Sequence, residues 1–294
     1  MRVFVTGASG FVGSAVVAEL IGAGHTVLGL ARSDANSKAI RELGAEAHPG
    51  SLHDLDSLRE GAAATDGTIH CAFIHDFTKF AENGQIDKRA IEVMGEALVG
   101  TDKPLIVTSG VAGLAQGRPA SEDDVPRSEG MPRVSEQTGL AFASRGVRAM
   151  TMRLPQVHGA PGKCGLLSSL AESARRGGVA AYIGDGSNRW AGAHVLDVAP
   201  VYRLALEKGR SGARYHAVGE EGVPMIEMMR IVGEQLRLPV KSIRQEEAPA
   251  LFGPMAGFAG LDLQGSSART QAELGWKPTH IGMIEDISQP GYFG

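Results

Sequence analysis

A chain of 294 residues is the size of one large domain or two closely joined ones. Hydrophobic residues make up 43% and charged residues 21%, which is ordinary globular composition. The formal charge of -4 argues against a nucleic-acid partner, which a basic footprint would announce.

Two cysteines, Cys71 and Cys164, are too few and too far apart for a disulfide framework or a zinc site, so no metal is expected. No apolar run reaches the roughly 18 residues that span a bilayer. The segment Met1–Gly7 runs straight into a strand pattern without a signal-peptide core. These features lead us to expect a cytoplasmic protein with no membrane partner. Glycine is the unusual component, at 40 residues, and no collagen period explains it. Tight turns and close backbone approaches do.

In chain order, Val3–Thr6 reads as a strand, and 11–23 as a helix with Val12, Ala15, Val16, Ala18 and Leu20 at helical spacing. Strands are expected at 26–31, 45–48, 67–74, 104–109 and 147–154, alternating with helices at 34–43, 54–64, 79–99 and 135–145. Apolar, non-alternating strands interleaved with helices are the pattern of a parallel sheet covered on both faces. The polar, turn-prone stretch 115–133 reads as a long surface connection. Beyond Pro155 the pattern predicts helices at 166–176, 198–208, 226–236 and 268–274, with strands near 180–183, 214–218 and 240–243. The expected fold is α/β: a Rossmann doubly wound parallel sheet over 1–160 with a returning segment near 190–220. A smaller C-terminal α+β lobe for substrate takes most of 161–294.

Between the first strand and the first helix stands Thr6-Gly7-Ala8-Ser9-Gly10-Phe11-Val12-Gly13. A pyrophosphate needs backbone N–H groups with no side chain in the way, and a helix N-terminus supplies them with a favourable dipole. Gly7, Gly10 and Gly13 fit that turn in the strand–helix context it requires. At the end of the second strand, Arg32 and Ser33 stand where an acid would select a free ribose. A guanidinium and a hydroxyl suit a 2′-phosphate, so NADP(H) is the expected cofactor.

This opening resembles that of the extended and atypical short-chain dehydrogenase/reductases, the NAD-dependent epimerase/dehydratase family. The similarity extends through Gly50-Ser51-Leu52-His53-Asp54, Ile69-His70-Cys71-Ala72-Phe73 and Val107-Thr108-Ser109-Gly110. It continues in Arg153-Leu154-Pro155-Gln156-Val157-His158-Gly159, His194–Ala199 and Leu274–Pro278. The resemblance implies that Ser51 and Leu52 border adenine and that Ala72, Phe73 and Ile74 run beside the cofactor. It also implies that Thr108, Leu154, Pro155 and His158 lie near the nicotinamide, and that the protein forms a homodimer.

The family's Tyr-x-x-x-Lys pair is absent: positions four beyond Tyr182, Tyr202 and Tyr215 are Gly186, Leu206 and Gly219, and Tyr292 lies too near the end. Counting back from Ser135-Glu136 puts Pro132 in the lysine place and Ser128 in the tyrosine place. Arg133 is one position off, and we expect it to play no part. Candidates for the remaining chemistry are Thr108 and Ser109 to polarise a carbonyl, and His158 or His75 to move a proton. A water relay is a further alternative. Asp76 beside His75, and Arg189 and Trp190 in the second lobe, are expected to face the substrate, with core packing an equal reading of Trp190. The apolar, glycine-broken stretch 251–263 reads equally as a cover over the pocket or as a subunit contact.

With no sugar-diphosphate clamp identifiable, the leading expectation is NADPH-dependent reduction of a small ketone or aldehyde. A catalytically silent NADP(H) sensor, and sugar-nucleotide epimerase or dehydratase chemistry, are the alternatives.

Overall fold

The computed structural model describes residues 1–126 and 133–294. Its first half alternates β1 (Arg2–Thr6), α1 (Phe11–Gly22), β2 (Thr26–Ala31), α2 (Asp34–Glu42), β3 (Glu46–Pro49), α3 (Leu55–Ala63) and β4 (Gly67–His70). Then come α4 (Phe80–Leu98), β5 (Pro104–Gly110), α5 (Ser135–Leu140) and β6 (Arg148–Leu154). The rest holds β7 (Gln156–His158), α6 (Gly165–Gly177), β8 (Ala180–Ile183), β9 (Arg189–His194), α7 (Val195–Lys208) and β10 (Arg214–His216). It closes with β11 (Glu220–Pro224), α8 (Met225–Leu236), β12 (Val240–Ile243), α9 (Ala248–Phe252), α10 (Ala256–Ala259), α11 (Ala268–Leu274) and α12 (Met283–Ile287).

Seven strands form one parallel sheet in the order β10-β6-β5-β4-β1-β2-β3. The strand order reverses beside β1, and that reversal opens a crevice at the carboxyl ends of the strands. Side chains alternate between two cores. Val3, Val5 and Ile106 pack with α1 and α7 on one face. Phe4, Leu105 and Val107 pack with α3 and α4 on the other. Burial on both faces is why these strands are continuously apolar.

After β6 the chain leaves the sheet, and α7 and β10 return to it. A three-stranded sheet, β11-β9-β7, and a parallel pair, β12-β8, support the second lobe. Its separate core gathers Trp190, Leu167, Met228, Phe252 and Met283.

Three local expectations differ. β4 ends at His70, not Ile74, because the Ala72 N–H turns aside to the Thr6 hydroxyl at 3.3 Å and the chain lifts off the sheet. The connection after β5 is partly interior. Glu122 is buried, accepting bonds from the Thr270 N–H at 2.8 Å and hydroxyl at 2.7 Å. The segment near 251–263 is built of short helices, with Phe252, Met255 and Ala259 turned into the second core.

Candidate active site

At the β1–α1 turn the glycines are there for space. Gly7 has φ +69°, and a Cβ on it would lie 2.9 Å from the Ala72 nitrogen. A Cβ on Gly13 would stand 2.0 Å from the Gly7 carbonyl oxygen. The α1 N-terminus carries no side-chain cap, so its N–H groups face the crevice with only backbone around them. That cradle fits a dinucleotide diphosphate, with Ser9, Gly10, Phe11 and Val12 as its floor.

Arg32 is exposed at the tip of β2. Ser33 is occupied as the N-cap of α2, accepting from the Asn36 N–H at 3.2 Å and donating to Asn36 Oδ1 at 2.8 Å. Asn36 reaches on to the Ser9 hydroxyl at 2.9 Å. It thereby ties the diphosphate turn to the arginine, a link the sequence reading missed. Ser51 and Leu52 follow β3 at the same end of the sheet, both half-buried. The Ser51 hydroxyl accepts from the His53 N–H.

Beyond β4 a cluster of rings lines the crevice. Phe73 meets His75 edge to face at 5.3 Å between centroids and Phe80 at 6.0 Å. Phe77 meets Phe80 at 5.9 Å and, across from the second lobe, Phe258 at 6.1 Å. His75 is exposed on this wall. Desolvation, then the nearby Arg133 charge, lowers its pKa below the ordinary histidine value. Asp76 caps the short turn at 77–79. Its carboxylate turns back to accept from the Thr78 hydroxyl at 2.5 Å and N–H at 3.0 Å, which holds its pKa below the usual range.

At the tip of β5, the Thr108 hydroxyl bonds the Tyr202 hydroxyl at 2.7 Å under the sheet, and either oxygen can be the donor. Cys71 adjoins this pair. Burial pushes its thiol up to about 11 against the two hydroxyls, so no reactive thiolate forms there. Burial also raises Tyr202 well above its ordinary value. Ser109 takes the opposite face of the strand and is half-buried. Leu154 and Pro155 end β6 beside it, the Leu154 carbonyl accepting from the Val111 N–H at 3.1 Å.

Arg133, expected to play no part, reaches this same tip. Its Nη2 donates to the Thr108 carbonyl at 2.8 Å, its Nε donates to the Ser135 hydroxyl at 2.8 Å, and its guanidinium lies 4.0 Å from the centre of the Phe73 ring. Ser128 and Pro132 lie outside the described residues.

Two other expectations are corrected. His158 is fully buried: β7 leaves the main sheet to pair with β9, carrying the imidazole into the second lobe. There Nδ1 meets Asp286 Oδ2 at 2.9 Å and the ring packs on His194, leaving no surface to meet a substrate. Trp190 is likewise fully buried, its indole N–H donating to the Leu261 carbonyl at 3.0 Å, so it is core. Arg189 is exposed at the start of β9, its Nη1 3.4 Å from the Gly222 carbonyl.

Beneath the site, Arg153 is fully buried and forks onto Glu136 through Nε at 2.7 Å and Nη2 at 2.6 Å. Arg214 adds a third bond to that carboxylate at 2.7 Å. Arg153 also meets His216 Nε2 at 3.0 Å, and burial first, with the arginine's charge, pushes that histidine down to about 4. Its carbonyl contacts at Asp124 and Ser121 pin the β5–α5 connection.

The model of the NAD dependent epimerase/dehydratase family matches residues 3–218. The chain belongs to that family. It is 46% identical over 296 residues to an uncharacterised protein of Schizosaccharomyces pombe, covering 100% of each. It is 26% identical to a ketoreductase of Stigmatella aurantiaca named for 4-hydroxy-2-methyl-3-oxo-4-farnesyl-3,4-dihydroquinoline-1-oxide, across 100% of this chain and 98% of the other. Among solved structures, a dTDP-glucose 4,6-dehydratase of Streptomyces venezuelae with NAD bound superposes with a TM-score of 0.78 at 18% identity, covering 100% and 96% of the chains. The seven-stranded sheet is thus the family's Rossmann-like fold. With it comes NAD(P)-dependent, oxidoreductase-type chemistry. Among the described residues no helix is long and apolar enough to cross a membrane, and no group of His, Cys, Asp or Glu could hold a metal ion.

Proposed function

We propose that this protein is an NADPH-dependent reductase of a small, apolar ketone or aldehyde. The aromatic wall carries the reading: Phe73, Phe77, Phe80 and Phe258 line the β4 side of the crevice and bridge it to the second lobe. Such a wall favours an apolar or ring substrate over a sugar diphosphate, whose charges ask for several cations. The relative named as a ketoreductase of a 3-oxo-4-farnesyl-dihydroquinoline oxide supports an apolar carbonyl substrate.

The cofactor's adenosine half belongs to the glycine turn, with Arg32 taking the 2′-phosphate by paired charge-assisted bonds. A reduced nicotinamide, when bound, would supply the hydride to the carbonyl carbon, and the carbonyl oxygen would be left as an oxyanion that needs a proton. His75, kept neutral, donates its N–H proton to that oxygen and recovers one from water at its other nitrogen. The product is the alcohol, with water the net proton source. Phe73 and Phe77 hold the His75 ring against the wall.

One observation favours the silent-sensor reading. Thr108 and His158, two of the four side chains chosen from sequence for chemistry, hold buried hydrogen bonds to Tyr202 and Asp286. A panel of aromatic and aliphatic ketones and aldehydes with NADPH, followed at the reduced-nicotinamide absorbance, decides between them. Turnover of apolar carbonyls supports the reductase. Clear NADPH binding with no turnover across the panel makes the protein a sensor.

A further inference from the structure

Arg133 ends a continuous line of hydrogen bonds that runs back to the glycine turn. Its Nε donates to the Ser135 hydroxyl, which donates to Asp87 Oδ2 at 2.5 Å. The other Asp87 oxygen meets His70 Nε2 at 3.1 Å, and His70 Nδ1 meets the Thr6 hydroxyl at 2.7 Å. That hydroxyl accepts the Ala72 N–H. Asp87 and His70 are both buried, with side chains 1% exposed.

The donors in this line have a forced direction. An ionised carboxylate only accepts, so both Ser135 and His70 Nε2 must donate to Asp87. On the far side of the ring Nδ1 meets the Thr6 hydroxyl, whose oxygen takes the Ala72 N–H. Burial works to raise the Asp87 carboxyl, and the bonds and charges of His70, Arg133 and Ser135 more than reverse it. The result is a buried anion held about one side chain from a half-buried guanidinium. Two of that guanidinium's nitrogens are committed, to Ser135 and to the Thr108 carbonyl. Among the described residues its third, Nη1, has no hydrogen-bond partner.

Topology says which end of a dinucleotide meets it. With Arg32 at the β2 tip and the diphosphate turn at β1, the remaining half crosses the crevice toward β4 and β5. Arg133 stands at the β5 tip with its face on Phe73, in the loop leaving β4. It is a fixed cation at the reacting end of a chain that has no Tyr-x-x-x-Lys pair.

We propose that Arg133 is the cationic residue of this site, binding the nicotinamide half of the cofactor and stabilising the oxyanion that forms on the substrate. Asp87, acting through Ser135, is its positioning residue. An arginine does not give up its proton, so its part is electrostatic and the proton still comes from water. The oxyanion role rests on the carbonyl-reductase reading; the cofactor role does not.

The test compares two ligands by calorimetry: NADPH, and 2′,5′-ADP, which carries only the adenosine half. Arg133→Met is expected to weaken NADPH about 10-fold or more, the scale of one lost charged hydrogen bond, and to leave 2′,5′-ADP within about twofold. Equal losses for both ligands, or no loss for either, overturn the proposal. If the methionine variant does not fold, Arg133→Gln is read the same way, since it removes the charge and keeps a polar end.

For the second part, turnover of Arg133→Ala is expected to recover severalfold on adding guanidinium. The Arg133→Ala/Asp87→Ala double variant is expected to recover little, because the buried anion that attracts the cation and fixes the Ser135 hydroxyl is gone. Equal recovery in both removes Asp87 from its positioning role. The affinities need no turnover, so a wild type that reduces no carbonyl sinks the reductase reading while Arg133 is still judged.

Discussion

At the β1–β2 end of the crevice the protein offers mostly backbone: three glycines, an uncapped helix N-terminus and one exposed arginine. At the β4–β5 end it offers side chains: a wall of rings, and a guanidinium fixed by a relay of five residues. The first end can be written in a short local motif because diphosphate recognition needs absences, and a missing Cβ is visible in sequence. The second depends on residues from β1, β4, α4, β5 and α5 meeting in space. In this chain, which has no Tyr-x-x-x-Lys pair, those residues hold the Arg133 guanidinium at the tip of β5.

Four measurements break or sharpen that contrast. The largest effect is expected beneath the β5–β6 end. Glu136→Ala strands the fully buried Arg153 and should cost about 3–5 kcal/mol of unfolding free energy in urea. A cost below about 1 kcal/mol would show that the carbonyls of Ser121 and Asp124 suffice to hold the arginine. Next, at the backbone end, Gly13→Ala drives a Cβ into the Gly7 carbonyl. NADPH and NADH should both weaken by roughly 100-fold, about 2.7 kcal/mol. Binding within threefold of wild type would mean the turn is not the diphosphate cradle.

Arg32→Ala is smaller and selective. It should cost NADPH roughly 1.5–3 kcal/mol and leave NADH nearly unchanged, and equal losses would show that the arginine reads something other than the 2′-phosphate. The smallest effect is a shift in pH profile. In the proposed reaction His75 acts as the neutral imidazole, and its pKa lies below the ordinary histidine value. Turnover should therefore hold at neutral pH and fall as acid protonates the ring. Arg133→Met removes a charge that depresses this pKa, so the falling limb should move to higher pH. An unmoved or oppositely moved limb would separate His75 from the guanidinium.

Stability carries its own pH signature. His216 falls from 6.5 to about 4 on folding, chiefly through burial. The unfolded chain takes up the proton first, so its contribution is complete above about 6.5 and is lost as pH falls toward 4.

The sheet was legible because Val3-Phe4-Val5 and Leu105-Ile106-Val107 are apolar at every position, which a strand requires only when both faces are covered. The glycine turn was legible for the reason already given. β7 and β9 were not: Gln156-Val157-His158 is too short to show a period, and its departure from the sheet carries His158 to Asp286. A buried and an exposed indole look alike in sequence, so Trp190 read equally well as pocket or core. Arg133 escaped because counting in helical register assumes that a side chain acts from its own place. Here a bond to Ser135, two residues on, and another to the Thr108 carbonyl bring it to the strand tip. Only the pairing of Asp87 with His70, a helix residue with a strand residue, could have flagged it, and nothing in their spacing says that they meet.

Calorimetric titration of cofactor-stripped protein with NADPH and NADH side by side tests the central claim most directly. The account predicts that both dinucleotides bind and that NADPH binds at least about 10-fold tighter, on the strength of Arg32 against a 2′-phosphate. Equal affinities, or no heat from either, would contradict it.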